Sequence, residues 1–327
     1  MYICVDMITT DEIFAIKSGD EFERVALEVF RRQAIRCAPY AEYLRLIGCD
    51  VANVRSVEQI PFLPIELFKS HEIYCGEREP QIVFTSSATT GMTPSRHAVA
   101  DLAIYERAFT EAFRRFYGEP EGWSIYGLLP NYLSRKGSSL VYMADRLIRM
   151  AGSGGFYLED YEQMLCAMAH DPKPKILLGV TYALLDVAEQ FAPKMTDTVV
   201  METGGMKGHR EELPKAELHR RLCEAFGVER IHSEYGMAEL LSQAYSSGDG
   251  IFCAPPWMRV LTRDVNNPFA RPAVGRRGAI DIIDLANLYS CSFISTQDVG
   301  VVFDDGRFRI EGRVSDADVR GCNLLVQ

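Results

Sequence analysis

The sequence lacks a long apolar run. Its longest apolar stretch, 176–188, is interrupted by Gly179, Thr181 and Asp186. A bilayer span needs about 20 consecutive, mostly apolar residues, so no membrane span is expected. A basic leader is missing too. Residues 1–14 carry Asp6, Asp11 and Glu12 and no lysine or arginine, so they are not expected to act as a signal peptide. Positive charge is in deficit: 35 Lys and Arg stand against 45 Asp and Glu, a net charge of -10. Such a chain repels a phosphate backbone, so nucleic acid is not an expected partner. One phosphorylated ligand in a local pocket remains compatible with that balance. Cysteine is sparse and odd in number, 9 in 327 residues, which excludes a disulfide framework. Unpaired thiols without a leader point to a reducing cytoplasm. There is no internal repeat and no low-complexity segment.

What is present is ordinary globular composition, 47% hydrophobic and 24% charged. The length suits about two domains, or one large one with lobes. Residues 1–80 read as helical. Phe22, Val25, Ala26, Val29 and Phe30 fall on one helical face, and Tyr40, Tyr43, Leu44 and Ile47 repeat the spacing until Gly48. Residues 81–250 alternate strands and helices, which predicts an α/β core. Strands are expected at 81–85, 123–129, within 174–180, near 197–203 and near 228–235. Asp101 should cap a helix that ends at Gly118. Residues 251–327 change texture. Short strands ("WMRVLT", "GAIDIID", "SFIST", "GVVFDD", "RFRIEG") separated by Gly, Pro, Asn and Asp predict a β-rich lobe and tail.

Four segments carry possible chemistry. The first is a small-residue loop after a strand: Thr85, Ser86, Ser87, Ala88, Thr89, Thr90 and Gly91, with Arg96 beyond. Thin side chains let backbone N–H groups approach a phosphate, and the hydroxyls add donors. No Gly-Lys-Ser/Thr follows, so it is not a Walker loop. The second is Tyr235-Gly236-Met237-Ala238-Glu239, with an aromatic for a purine and a carboxylate for Mg2+. The third places Asp298 at a strand end, able to accept from a ribose diol. The fourth is Gly312-Arg313 with Asp316 three residues on. Taken singly, each also reads as a solvated turn.

Their order is the stronger signal. A Ser/Thr loop, Tyr-Gly-x-x-Glu, x-x-Asp-x-Gly and Gly-Arg-x-x-Asp follow one another across about residues 81–321. This order resembles the adenylate-forming superfamily of acyl-CoA synthetases, adenylation domains and luciferases. Within it, "SSATTG", "PSR" and "TGGMKG" (203–208) resemble the acyl-protein synthetases of bacterial bioluminescence. The implied fold is an α/β N-terminal body of layered mixed sheets and helices with a β-rich lobe. The lid domain of larger relatives, with its catalytic lysine, is expected to be absent. The implied reaction joins a carboxylic acid, a fatty acid by this resemblance, to ATP as acyl-AMP.

The resemblance implies roles residue by residue. Thr85, Ser86, Ser87, Thr89, Thr90, Gly91, Arg96, Gly204 and Gly205 would surround the nucleotide phosphates. Tyr235 and Gly236 would meet adenine, Asp298 the ribose and Arg313 the ribose or phosphate. Glu239 would hold Mg2+. Lys207 is a candidate to replace the lid lysine, and reads equally as a surface residue; His209 beside it reads as solvated. Cys322, near the end of the chain, is a candidate acyl acceptor, with transfer onward to a protein such as a reductase or carrier. Coenzyme A is the alternative acceptor, as in phenylacetate-type ligases, and a non-catalytic nucleotide-binding relative is a third reading. The acyl pocket is expected around 128–135, Tyr132, Tyr182 and 201–205, with Tyr126 and Tyr142 nearby. Two departures stand out. Ala88 replaces a loop glycine, and Ala238 replaces the threonine before the metal-binding glutamate. Cys253, Cys291 and His232 have no zinc spacing and read as packing.

Overall fold

The computed structural model of the chain describes residues 8–86, 93–129, 137–158, 160–204 and 213–314. Its first helices begin at side-chain caps. α1 (Thr10–Phe14) starts at a Thr9/Glu12 capping box, and α2 (Gly19–Arg36) at a Ser18/Glu21 box. α2 buries Phe22, Val25, Ala26, Val29, Phe30 and Gln33, the face that the spacing predicts. α3 (Ala38–Leu46) ends before Gly48, whose φ of 70° a β-carbon would strain. A two-residue strand β1 (Leu63–Pro64) and a short helix α4 (Leu67–Ser70) follow.

The next region is built on β2 (Ile82–Thr85), β3 (Arg96–Val99), α5 (Leu102–Tyr117), β4 (Ser124–Leu128), α6 (Ser139–Ala151), β5 (Gly154–Tyr157), α7 (Tyr161–His170), β6 (Lys175–Val180), α8 (Thr181–Phe191), β7 (Thr198–Thr203), α9 (Lys215–Phe226), β8 (His232–Tyr235) and β9 (Ala244–Ser246). Asp101 accepts from Ala103 N at the start of α5, and Gly118 closes it with φ 76°. Six strands form one sheet in the order β5-β4-β6-β7-β8-β9. All neighbours are parallel except β8 and β9. Every residue of β6 is buried, as a central parallel strand covered on both faces requires. β2 and β3 form a separate antiparallel pair in which Thr85 faces Arg96.

The rest is β10 (Ile251–Phe252), β11 (Met258–Arg263), β12 (Arg277–Asp284), β13 (Phe293–Val302) and β14 (Phe308–Arg313). They pair in the order β10-β14-β13-β12-β11, and β1 joins β13 in parallel. "SFIST" and "GVVFDD", expected as two strands, meet in the single strand β13, which ends at Val302 and leaves Phe303 to Asp305 outside it. The polar Gln297-Asp298 step between them reads as a turn in sequence. The structure keeps it extended and absorbs the irregularity as a register shift at Val299/Gly300. A β-carbon on Gly300 would lie 2.0 Å from the Arg309 carbonyl oxygen, so only glycine fits there.

The N-terminal helices pack on this lobe. Phe30 meets Phe293 edge-on with centroids 5.8 Å apart, and Tyr40 stacks on the same ring. Gln33, fully buried, donates to the Asn287 carbonyl at 2.9 Å and accepts from Ser292 N at 2.9 Å. Burying a ring such as Phe30 contributes roughly 2 kcal/mol, and the paired amide removes the cost of burying Gln33 among such rings. Apolar residues of all three stretches join one core cluster.

Candidate active site

In open α/β sheets, ligands bind beyond the carboxyl ends of the parallel strands. A cavity of about 370 Å³ lies there, bordered by Thr203 and Gly204 after β7, and by Gly236 to Glu239 after β8. The opposite wall comes from β2–β3, α4, α6 and the β-rich lobe, through Ser86, Ser95, Lys69, Met143, Gln297 and Arg313 among others.

Of the Ser/Thr loop, Thr85 and Ser86 line this cavity. Ser86 is tied to Ser95 twice: its N–H donates to the Ser95 carbonyl at 3.2 Å, and its Oγ accepts from Ser95 N at 2.9 Å. Thr85 N donates to the Gly137 carbonyl at 2.8 Å. Ser87, Ala88, Thr89, Thr90 and Gly91 lie outside the described residues. Arg96 is exposed on β3 and does not line the cavity.

Successive residues of a strand point to opposite faces, and β8 uses both. Tyr235 turns to the β-rich lobe. Its ring packs with Phe252 and Phe308, and its hydroxyl donates to Asp298 Oδ2 at 2.7 Å. Asp298 pairs in register with Arg313, whose Nε stands 3.4 Å from Oδ1. Glu234 turns the other way, accepting from the Thr203 hydroxyl. Burial, with Glu202 adding to it, pushes its carboxyl up to about 7 despite the Thr203 bond.

Glu239 is 4% exposed. Burial raises its pKa, while a hydrogen bond from Ser95 and the charges of Arg313 and Lys69 pull it down. The irregular segment carrying it is held by side chains that sequence reasoning missed. Asn287 Nδ2 donates to the Glu239 carbonyl at 2.8 Å. His97 is fully buried, and burial lowers its pKa to about 4, so its ring is neutral. Its Nδ1 lies 2.8 Å from the Ala238 carbonyl, and its Nε2 lies 3.0 Å from Ser290 Oγ. With Nδ1 protonated, both contacts are satisfied. Asp284, at the end of β12, accepts from Leu241 N at 2.8 Å and Ser242 N at 2.9 Å. Polar residues inside apolar stretches ("RHAVA", "IIDLANL") were the available signal.

Gly204 adopts φ 68°, and its carbonyl accepts from Thr181 Oγ1 at 3.0 Å. The same hydroxyl stands 3.2 Å from Oε2 of the buried Glu202, so its one proton is shared between the two acceptors. Glu202 Oε1 pairs with Lys215 Nζ at 2.7 Å. Burial would raise the Glu202 carboxyl, but His219 and Lys215 hold it down to about 2. The buried Glu202 thus ties the end of β7 to the half-buried Lys215 at the start of α9.

Other expectations do not converge on the cavity. Tyr182 is buried at the start of α8 and is not on its lining. Tyr126 donates to Asp171 and Tyr142 to Glu106, so both hydroxyls are engaged elsewhere. Tyr105, Leu140 and Met143 provide the apolar wall instead. Cys291 is buried, with its thiol 3.4 Å from the Phe293 carbonyl. Among the described residues no cluster of three His, Cys, Asp or Glu could hold a metal ion. A magnesium ion that rides on phosphates needs only one or two protein carboxylates, and the buried Glu239 fits that donor set. Tyr132, Gly205, Lys207, His209 and Cys322 lie outside the described residues.

No protein-family model and no curated protein matches the sequence. Solved structures do match in fold. ATP-bound MatB from Rhodopseudomonas palustris aligns with a TM-score of 0.55 and 18% identity over 71% of this chain and 47% of its own. 2-Hydroxyisobutyryl-CoA ligase in the postadenylation state, bound to R3-HIB-AMP, aligns with 0.70 and 14% over 96% and 73%. The same ligase with 2-HIB-AMP and CoA aligns with 0.71 and 14% over 96% and 74%. The chain has the fold of the N-terminal body of adenylate-forming enzymes. It spans about half the length of the MatB chain that it matches. No described helix is long and apolar enough to cross a membrane.

Proposed function

We propose that this chain activates a carboxylic acid with ATP, releasing pyrophosphate and forming acyl-AMP. The observation that carries this reading is the grouping of Glu239, Arg313, Thr85, Ser86 and Gly204 around one cavity; Tyr235 and Asp298, bonded to each other, are the chain neighbours of its lining residues Gly236 and Gln297. Adenylate-bound and ATP-bound neighbours of the same fold support it.

The substrate carboxylate oxygen would attack the α-phosphorus. The new bond is C–O–P, the α–β phosphoanhydride bond breaks, and pyrophosphate leaves. Catalysis of this kind is mostly positioning and charge compensation. Asp298 would accept from the ribose hydroxyls, and Tyr235 would hold that carboxylate in place. Thr85, Ser86 and the rest of the Ser/Thr loop would donate to phosphate oxygens. Lys69 and Arg313 bring positive charge to the same space, with Lys207 a further candidate. Glu239, buried and flanked by those cations, would hold Mg2+. The metal would neutralise phosphate charge.

The second half-reaction transfers the acyl group to a thiol. Sulfur bonds to the acyl carbon, the acyl–phosphate C–O bond breaks, AMP leaves and the thiol proton goes to solvent. The order of motifs favours a protein thiol, with Cys322 as the candidate, and a reductase or carrier downstream. Coenzyme A is the second reading, because it is bound in the 2-hydroxyisobutyryl-CoA ligase. The enzyme would work in the cytoplasm, where both thiols are reduced.

Acid-dependent ATP–pyrophosphate exchange tests the first half. Exchange that is lost in Glu239→Gln and kept in Cys322→Ser supports adenylation with the thiol acting later. ATP binding without exchange for any acid, alone or with candidate partners, would replace this reading with a nucleotide-binding protein.

A further inference from the structure

The cavity that Tyr105, Leu140 and Met143 line with apolar surface also carries two polar side chains. Glu234 is 8% exposed and Gln243 3% exposed, and both line the cavity. Thr203 occupies one oxygen of Glu234. The other oxygen, Oε1, curls round the end of β8, to 2.5 Å from where a β-carbon on Gly236 would sit. Gln243 Cγ is 3.5 Å from the same point. Gly236 is therefore open space that these two side chains use. Gln243 Oε1 is buried without a hydrogen-bond partner.

Buried polar groups are normally paired, and leaving one unmade costs about 1–3 kcal/mol. A plain alkyl chain laid here would leave the Gln243 carbonyl without a donor and offer Glu234 no partner for its charged form. We propose that Glu234 and Gln243 select a carboxylic acid whose side chain carries a hydrogen-bond donor, a hydroxyl or an ammonium group. The inference deepens the acid-activating reading and rests on it for the orientation of the substrate. The substrate carboxylate is drawn toward Lys69 and Arg313, which leaves the donor to face Glu234. Burial that disfavours the Glu234 charge is relieved by an ammonium ion or by a hydroxyl that donates to it. The long-chain fatty acid implied by the sequence resemblance is the substrate that this pair disfavours.

The test is direct binding, read apart from turnover. Calorimetry on the full chain would compare C4–C6 alkyl acids with their 2-hydroxy, 3-hydroxy, terminal hydroxy and corresponding amino derivatives. At least one donor-bearing series should bind about tenfold or more tightly than the parent acid, as a hydrogen bond to a charged group predicts. Glu234→Leu should erase that preference. Glu234→Gln should keep it for a hydroxyl and lose it for an ammonium group. Should Glu234→Leu fail to fold, Gln243→Leu should weaken the preference in its place. Parent acids that bind equally well or better, a preference that survives Glu234→Leu, or no binding by any donor-bearing acid would overturn the proposal. Donor preference without exchange would leave the selection standing and defeat the ligase reading. Exchange that ignores the donor would do the reverse.

Discussion

The Tyr235 hydroxyl donates to Asp298 Oδ2 at 2.7 Å while Arg313 Nε stands 3.4 Å from Oδ1, so both oxygens of one carboxylate are held from different elements. Burial and the Asp298 charge push the Tyr235 phenol up, which keeps it a donor. A carboxylate fixed this way is ready for a diol without first choosing a rotamer. Removing the hydroxyl should loosen it. Tyr235→Phe is expected to raise the KM for ATP about three- to tenfold, with kcat changed less, as loss of about 1 kcal/mol of positioning predicts. Steady-state exchange kinetics with varied ATP would check it. An unchanged KM would mean that Asp298 does not contact the nucleotide.

Glu239 pulls in two directions. Its burial makes the charged form costly to the fold, while the proposed metal binding would need that charge. Glu239→Gln should therefore leave the melting temperature unchanged or raise it, and lower exchange at least about a hundredfold. Thermal melts and exchange on the same preparation would show the split. Loss of both together would identify Glu239 as a fold-holding residue.

His97 reaches the site through the backbone. Its two nitrogens bridge Ala238 and Ser290, and Ala238 immediately precedes Glu239. His97→Leu would leave a buried carbonyl and a buried hydroxyl unpaired, an expected cost of about 2–4 kcal/mol. His97→Gln can restore part of this, and its activity should recover in step with its stability. Denaturant melts with exchange assays would test that coupling. Activity lost at full stability would give His97 a direct role.

The sequence allowed the elements with strong periodicity to be read. The buried face of α2, the start and stop of α5 and the central strands of the parallel sheet follow from local patterns that tertiary packing reinforces. The grouping of the candidate site was partly legible: Tyr235, Glu239, Asp298 and Arg313 stand in ordered motifs, and of these Glu239 and Arg313 line the cavity. What was hidden depends on contacts between distant segments. Lys69 comes from the N-terminal stretch that reads only as helical. Asn287 and His97 are single polar residues in apolar surroundings, and only the fold shows that they hold the Glu239 segment. The expected acyl pocket is only partly described: Thr203 and Gly204 line the cavity, while 130–136 and 205–212 lie outside the described residues. Tyr126, Tyr142 and Tyr182 look like pocket residues in one dimension, whereas Tyr105 and Met143 occupy the wall.

Glu234 offers a test that needs no substrate. Its carboxyl is raised from an ordinary 4.5 to about 7, mainly by burial. Between those values the folded state keeps the proton that the unfolded chain has released. Stability from this group is therefore full below pH 4.5 and is lost as pH rises through 7. Glu202, held down to about 2, acts in the opposite sense and at lower pH, losing its contribution as pH falls from 4.5 through 2. The two windows do not overlap. Glu234→Gln abolishes only the upper one. Its stability relative to the parent should rise from pH 5 to pH 8 by on the order of 3 kcal/mol, the free-energy equivalent of that shift. Urea melts of both proteins at several pH values would measure the difference. A flat difference would mean that Glu234 stays ionised at neutral pH, with a counter-charge from within the protein already beside it.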